Sequence, residues 1–213
     1  MLYQCDLDLE MNLFMGEYSS ALSSDDLHDH ELPLLKMRAK GGTMALWKQK
    51  HDQYVTPIPS PSSSFLPIVF SPPDHPPSIH LALYLPTAGQ DTDFIDEIVN
   101  LNQCLLELSQ QYPDAHLFLR GDANVNPKDK NRTTIFNKFC EDWQLTAPSI
   151  DHPTYHHFQG FGASDSQLDV ILHSRNVSEK LLKIHCKLGN PLVTSHHDIL
   201  LSIFCLPLSK RSS

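Results

Sequence analysis

This 213-residue chain is short of positive charge: 16 Lys and Arg against 25 Asp and Glu leave a formal net charge of -9. An acidic balance of that size argues against strong non-specific attraction to a phosphate backbone, so any nucleic-acid contact has to be local. Cysteine is sparse too. Cys5, Cys104, Cys140, Cys186 and Cys205 are scattered, odd in number and free of any C-x-x-C pair, which is the usage of a reduced protein and not of a disulfide framework. No segment approaches the roughly 18 apolar residues of a membrane span. The opening "MLYQCDLDLEMN" has acids where a secretory signal needs a basic start followed by an apolar run. The expected location is therefore intracellular, nuclear or cytoplasmic, with no membrane partner and no secretion.

What is present supports one domain with a real core, since 40% of the residues are apolar. Residues 1–40 carry eight acids against three basic residues, and "SSALSSDDLHDHE" reads as a surface loop. The reading is thus an acidic, partly loop-like segment over 1–40, a domain over 41–207 and a tail over 208–213. "TMALWK" (43–48), "FLPIVFS" (65–71), "SIHLALYL" (78–85) and "AHLFLR" (115–120) read as strands, and "TPIPSPSSS" as an extended loop. Between Asp91 and Gln111 the period lengthens: Phe94, Ile98, Leu101, Leu105 and Leu108 recur every three or four residues, the stripe of an amphipathic helix. A second helix is predicted over 132–143, followed by strands over 153–158, 167–174, 181–188 and 199–206. Several strands with two helices between them, and no strict βαβ alternation, predict an α/β sandwich with helix-covered sheets.

Four polar interruptions break the apolar strands. "HLFLRGDANVNP" ends on Asp122 and Asn124, Tyr84 stands before a proline turn, Asp169 lies inside "SQLDVIL", and His196 and His197 abut the last strand. Asp and Asn also make good turns, because their side chains bond their own backbone, so Gly-Asp-x-Asn alone decides nothing. Asp169 is more demanding. A carboxylate in an apolar run is costly unless paired, and a histidine is an apt partner. A zinc reading of His152, His156, His157 and His196 has little spacing support, since adjacent strand residues point to opposite faces.

In this order, Tyr84-x-Pro86-x-x-Gly89, a helix, Gly121-Asp122-x-Asn124, Thr154-Tyr155, Ser166-x-x-Asp169 and Ser195-x-His197 resemble the endonuclease/exonuclease/phosphatase, or DNase I-like, superfamily. The resemblance is nearest to apurinic-type endonuclease domains of non-LTR (LINE-type) retrotransposons. It implies a DNase I-like α/β sandwich of two mixed sheets flanked by helices, and a DNA endonuclease dependent on Mg2+ or Mn2+. It further implies a monomer, once attached to a reverse transcriptase in the parent element. Asp122 and Asn124 match the pair that handles the attacking water. His197 matches the histidine on the scissile phosphate and Asp169 the acid that holds it, while Tyr84 matches a tyrosine that touches the phosphate. Thr87, Asn124 and His197 would line the phosphate, and Asp122 would serve as a metal ligand. Relatives have Ser-Asp-His where this chain has Ser195-His196-His197, so His196 stands at a metal-managing position, and Asp198 would point to the opposite face.

The family's asparagine-bearing first strand and Gln-Glu motif are absent, with Glu10 the nearest candidate for that glutamate ligand. A chain beginning after those motifs would be N-terminally truncated, lacking two central strands and leaving neighbouring strands with unsatisfied edges. Two alternatives accompany the nuclease reading: a catalytically inactive remnant acting as a binding or interaction module, and a small-phosphoester phosphatase of the same fold. The chemistry suits phosphodiester hydrolysis in any case, because an anionic diester admits a nucleophile only where a cation, an imidazolium or fixed donors neutralise charge.

Overall fold

In this computed structural model the described residues are 18–23, 43–150, 153–159, 162–175, 177, 181–187, 197 and 199–204. Along the chain run β1 (Tyr18–Ser23), β2 (Thr43–Lys48), a 3-10 helix (Gln49–Tyr54), β3 (Val55–Pro57), β4 (Phe65–Phe70), β5 (Ser78–Tyr84), α1 (Asp91–Gln111), β6 (His116–Asp122) and α2 (Lys130–Asp142). There follow β7 (Leu145–Thr146), β8 (Tyr155–Gln159), β9 (Gly162–Ser166), β10 (Asp169–Ser174), β11 (Leu181–Lys187) and β12 (Ile199–Phe204).

Six of these strands form one mixed sheet in the order β3-β4-β5-β6-β10-β7. Its one parallel pair, β5 with β6, requires a crossover, which α1 supplies. Alternation divides the sheet cleanly. Ile79, Leu81 and Leu83 of β5 and Leu117 and Leu119 of β6 join Phe94, Ile98, Leu101, Leu105 and Leu108 of α1 and Phe136 and Phe139 of α2 in the core. His80, Ala82, Tyr84, Phe118, Arg120 and Asp122 are left on the other face. Cys104 of α1 is buried in the same core, and Cys140 of α2 packs against it; both are free thiols.

The expected mixed α/β architecture is thus observed, with the second layer built from narrow pieces. Ribbons β1-β2, β8-β9 and β11-β12 are each two-stranded and antiparallel; β1-β2 packs over β4 and β5, and β12 approaches β10. Among the described residues β2 pairs only with β1 and β12 only with β11, so each keeps one open edge. None of the described helices is long and apolar enough to cross a membrane.

Three local expectations are corrected. The start of "SSALSSDDLHDHE" was expected in a loop, but Ser19 to Ser23 belong to strand β1, paired with β2 from Tyr18↔Lys48 to Ser23↔Thr43; a cross-strand partner overrides the weak strand preference of serine. "TPIPSPSSS" begins as strand, because Thr56 and Pro57 belong to β3, an edge position where a missing N–H is tolerated. Helix α2 starts at Lys130 rather than 132, since the Asp129 side chain accepts from Asn131 N and Arg132 N and caps it there.

Candidate active site

Because β5 and β6 are parallel and in register, they end together, with Tyr84 beside Asp122. Antiparallel β10 begins where β6 ends and sets Asp169 opposite Asp122. Directly paired residues share a face, so sequence register alone gathers a phenol and two carboxylates at one end of the sheet. Such carboxyl ends of parallel strands are the usual place for ligand sites in α/β sheets.

The Gly-Asp-x-Asn turn does two jobs. Asp122 Oδ1 accepts from Asn124 N at 2.9 Å, the local bond that makes Asp a turn former. Asn124 adopts a left-handed φ of 50°, which asparagine tolerates better than most residues, and its Nδ2 donates to Leu85 O at 2.7 Å. Leu85 N donates in turn to Asp122 O at 2.9 Å. The second carboxylate oxygen, Oδ2, is left to face His197 Nε2 at 3.8 Å.

His197 bridges the two acids. Its Nδ1 lies 2.9 Å from Asp169 Oδ2 and 3.2 Å from Oδ1; a carboxylate only accepts, so Nδ1 carries the proton and Nε2 is turned toward Asp122. A backbone bridge to Tyr155 holds the residue, and the Tyr155 ring lies 4.8 Å from the imidazole. Asp169 is itself fixed from behind. Fully buried Thr154 accepts through Oγ1 from Leu168 N at 3.2 Å and Asp169 N at 3.1 Å.

Charge follows geometry. Burial pushes the Asp122 carboxyl up to about 6, assisted by the Asp169 charge and opposed by the Asn124 backbone donor and by His197. For His197 burial acts downward, but the bond and charge of Asp169, with the charge of Asp122, outweigh it and raise the pKa. Burial, with Asp122 alongside, raises Tyr84. The native state therefore binds more protons at Asp122 than the unfolded chain does between about pH 4 and 6, and stability falls as pH rises through that window. His197 acts in the same direction. Its contribution is complete below the unfolded value of 6.5 and is lost as pH rises through its raised folded value.

The exposed Thr87 hydroxyl donates to Gln90 Oε1 at 3.0 Å in the turn after β5. Behind that turn sits a residue that the sequence did not single out. Arg132, 1% exposed, donates to Pro86 O at 2.7 Å, Thr87 O at 2.8 Å, Asn124 O at 3.3 Å and Asp91 Oδ1 at 2.7 Å, and lies over the Phe94 ring. It ties the Tyr84 turn to the Asp122 turn. Arg132→Met is expected to lose about 3 kcal/mol in urea unfolding, because three backbone carbonyls lose their donor; a loss below 1 kcal/mol would contradict the clamp.

Glu10 and His196 lie outside the described residues, as do His152 and the side chain of His157. His156 Nδ1 pairs with Asp165 Oδ1 at 3.0 Å. Among the described residues no three His, Cys, Asp or Glu side chains converge on a common metal position. Asp122 Oδ2 faces His197 Nε2 at 3.8 Å and makes no shorter bond among the described residues. Mg2+ keeps several waters and takes one or two carboxylates with substrate phosphates, so this donor fits the ion as a single carboxylate ligand.

No protein-family model matches the sequence, and no curated protein does. Solved structures match nearly the whole chain. The endonuclease domain of TRAS1, a telomere-specific non-LTR retrotransposon, has a TM-score of 0.65 at 13% identity, covering 96% of this chain and 93% of that one. An endonuclease/exonuclease/phosphatase family protein from Leptotrichia buccalis has a TM-score of 0.62 at 11% identity over 89% of this chain and 72% of its own. The fold is that of the endonuclease/exonuclease/phosphatase family. Within it, the 3' phosphatase NExo from Neisseria, solved with a product DNA hairpin, has a TM-score of 0.64 at 14% identity over 91% of this chain and 82% of that one.

Proposed function

We propose that the chain is a phosphodiester hydrolase acting on DNA, an endonuclease of retrotransposon type that depends on Mg2+ or Mn2+. One observation carries the reading: a single imidazole lies between two register-paired carboxylates, its Nδ1 on Asp169 and its Nε2 toward Asp122. Likeness to TRAS1 and to the DNA-bound NExo supports the substrate class.

Ionised Asp122 would accept the proton of the attacking water. His197, kept charged by Asp169, would offer Nε2–H to the phosphate oxygen on which charge grows. Asn124 holds the Asp122 turn closed and Tyr84 presents its phenol beside it. A divalent cation, held through Asp122 Oδ2, would supply neutralisation of the diester. Plasmid nicking in MgCl2 by wild type, Asp122→Ala and Asp169→Asn tests this, and equal rates in all three would end the assignment. The rate is expected to rise as pH passes about 6, where Asp122 ionises, and to fall once His197 loses its proton. In Asp169→Asn the falling limb moves to lower pH, because the partner that raises His197 is gone.

A non-catalytic binding module is the second reading, favoured by the lack of a three-ligand metal group among the described residues. Calorimetry separates the two. Millimolar MgCl2 is expected to raise the melting temperature of wild type and not of Asp122→Asn, whereas the metal-free variant melts higher than wild type at neutral pH, having no raised carboxyl to ionise. Wild type unmoved by Mg2+ or Mn2+ favours the module.

A further inference from the structure

A chain with a net charge of -9 repels a phosphate backbone, so a DNA-cleaving site on it needs cations placed where the strand lies. Most of the described cations are elsewhere. Lys48 and Lys50 open the 3-10 helix whose His51 ring meets Phe70, at the end of the sheet where β5 begins, and Arg175 follows β10 at that same end. Arg120 is part-buried over the Phe118 ring, Arg132 is buried, and Lys138 pairs with Asp142.

Two lysines stand at the site end. Lys128 and Lys130 follow the Gly-Asp-x-Asn turn, both exposed, and the ion pairs among the described residues involve neither. The acid between them is turned away. Asp129 Oδ1 accepts from Asn131 N and Arg132 N, and its Oδ2 lies 3.8 Å from Arg132 Nε. The backbone that carries the lysines is fixed: Lys128 N donates to Asn126 Oδ1 at 2.9 Å, Asp129 N to Asn126 O at 2.8 Å, and Arg132 Nη1 to Asn124 O at 3.3 Å. Lys128 is thereby tied to the turn that holds Asp122. From Asn124 to Lys128 the backbone spans at most about 14 Å, and one DNA strand carries a phosphate per roughly 3.4 Å of axis, so the phosphates in reach lie within a few nucleotides of the scissile one.

We propose that Lys128 and Lys130 are the local backbone contact with DNA, each neutralising one phosphate of a duplex beside the cleavage point. This contact rests on the DNA substrate proposed above. Phosphate contacts set position and register without reading sequence, a task that suits an ammonium, a point charge lacking the fork with which arginine grips two acceptors.

The full chain is titrated by fluorescence anisotropy against short fluorescein-labelled duplexes of two unlike sequences, in EDTA, between about 50 and 200 mM NaCl. Lys128→Gln/Lys130→Gln is expected to bind both duplexes more weakly and to flatten the plot of log Kd against log[NaCl] by about 0.9 for each lysine removed. Lys48→Gln/Lys50→Gln, the same change of charge at the opposite end of the sheet, is expected to keep the wild-type slope. Both variants should melt with wild type, since all four side chains are exposed. A wild-type slope in Lys128→Gln/Lys130→Gln, an equal flattening in Lys48→Gln/Lys50→Gln, a loss confined to one sequence, or no binding by wild type would each overturn the proposal. Nicking is scored apart, on plasmid in MgCl2: an inert wild type with the lysine-dependent slope intact would end the nuclease reading and still support the contact.

Discussion

Replacing His197 with alanine is expected to slow plasmid nicking by about 10²–10³-fold, the usual loss when one preorganised donor to developing charge is removed. Among the described residues the imidazole is the side chain that lies between both acids, 2.9 Å from Asp169 and 3.8 Å from Asp122. Without it two carboxylates face each other across β6 and β10, like charges that destabilise a directly opposed pair. The variant should therefore also become more sensitive to rising pH. Added imidazole is expected to restore part of the rate in His197→Ala and none in Asp122→Ala, a distinction that loss of folding would not produce. Nicking at the wild-type rate by folded His197→Ala would refute the catalytic assignment.

The second large effect is structural. Gly121→Ala is expected to destabilise the protein by about 4 kcal/mol or more, read as a fall in the urea midpoint. Gly121 has φ 135°, and an added Cβ would lie 2.1 Å from Leu83 O. The obstacle is backbone in the parallel partner strand, so no side-chain rotation relieves it, and any shift displaces Asp122 next door. Where a folded fraction survives, its nicking rate per folded molecule should drop as well. Wild-type stability in Gly121→Ala would mean that β5 and β6 are not registered as described.

Much of this arrangement was legible where packing leaves a periodic trace. Phe94, Ile98, Leu101, Leu105 and Leu108 marked α1 because every one of them is buried against β5 and β6. Asp169 stood out because a carboxylate in an apolar strand demands a partner, and His197 is the one it has. Other features had no such trace. Strand β1 is rich in serine, β9 reads "GASDS", and β7 is two residues long, so their pairing depends on partners distant in sequence. Arg132 carries no mark in the sequence, since its acceptors are backbone carbonyls that any sequence would offer. Thr154 was visible within Thr-Tyr, but its hold on the Asp169 backbone appears only in the fold.

The two helix thiols give the molecule a built-in chemical clock. Burial, with Glu107 beside Cys104 and Glu141 beside Cys140, pushes them up to about 11 and about 12. Alkylating reagents react with thiolate, so near pH 8 only about one in a thousand Cys104 groups is competent while the helices stay seated. Each lifting of α1 or α2 from the sheet returns the sulfur to an ordinary acidity. The pace of iodoacetamide labelling at these two positions therefore measures how often that layer peels away.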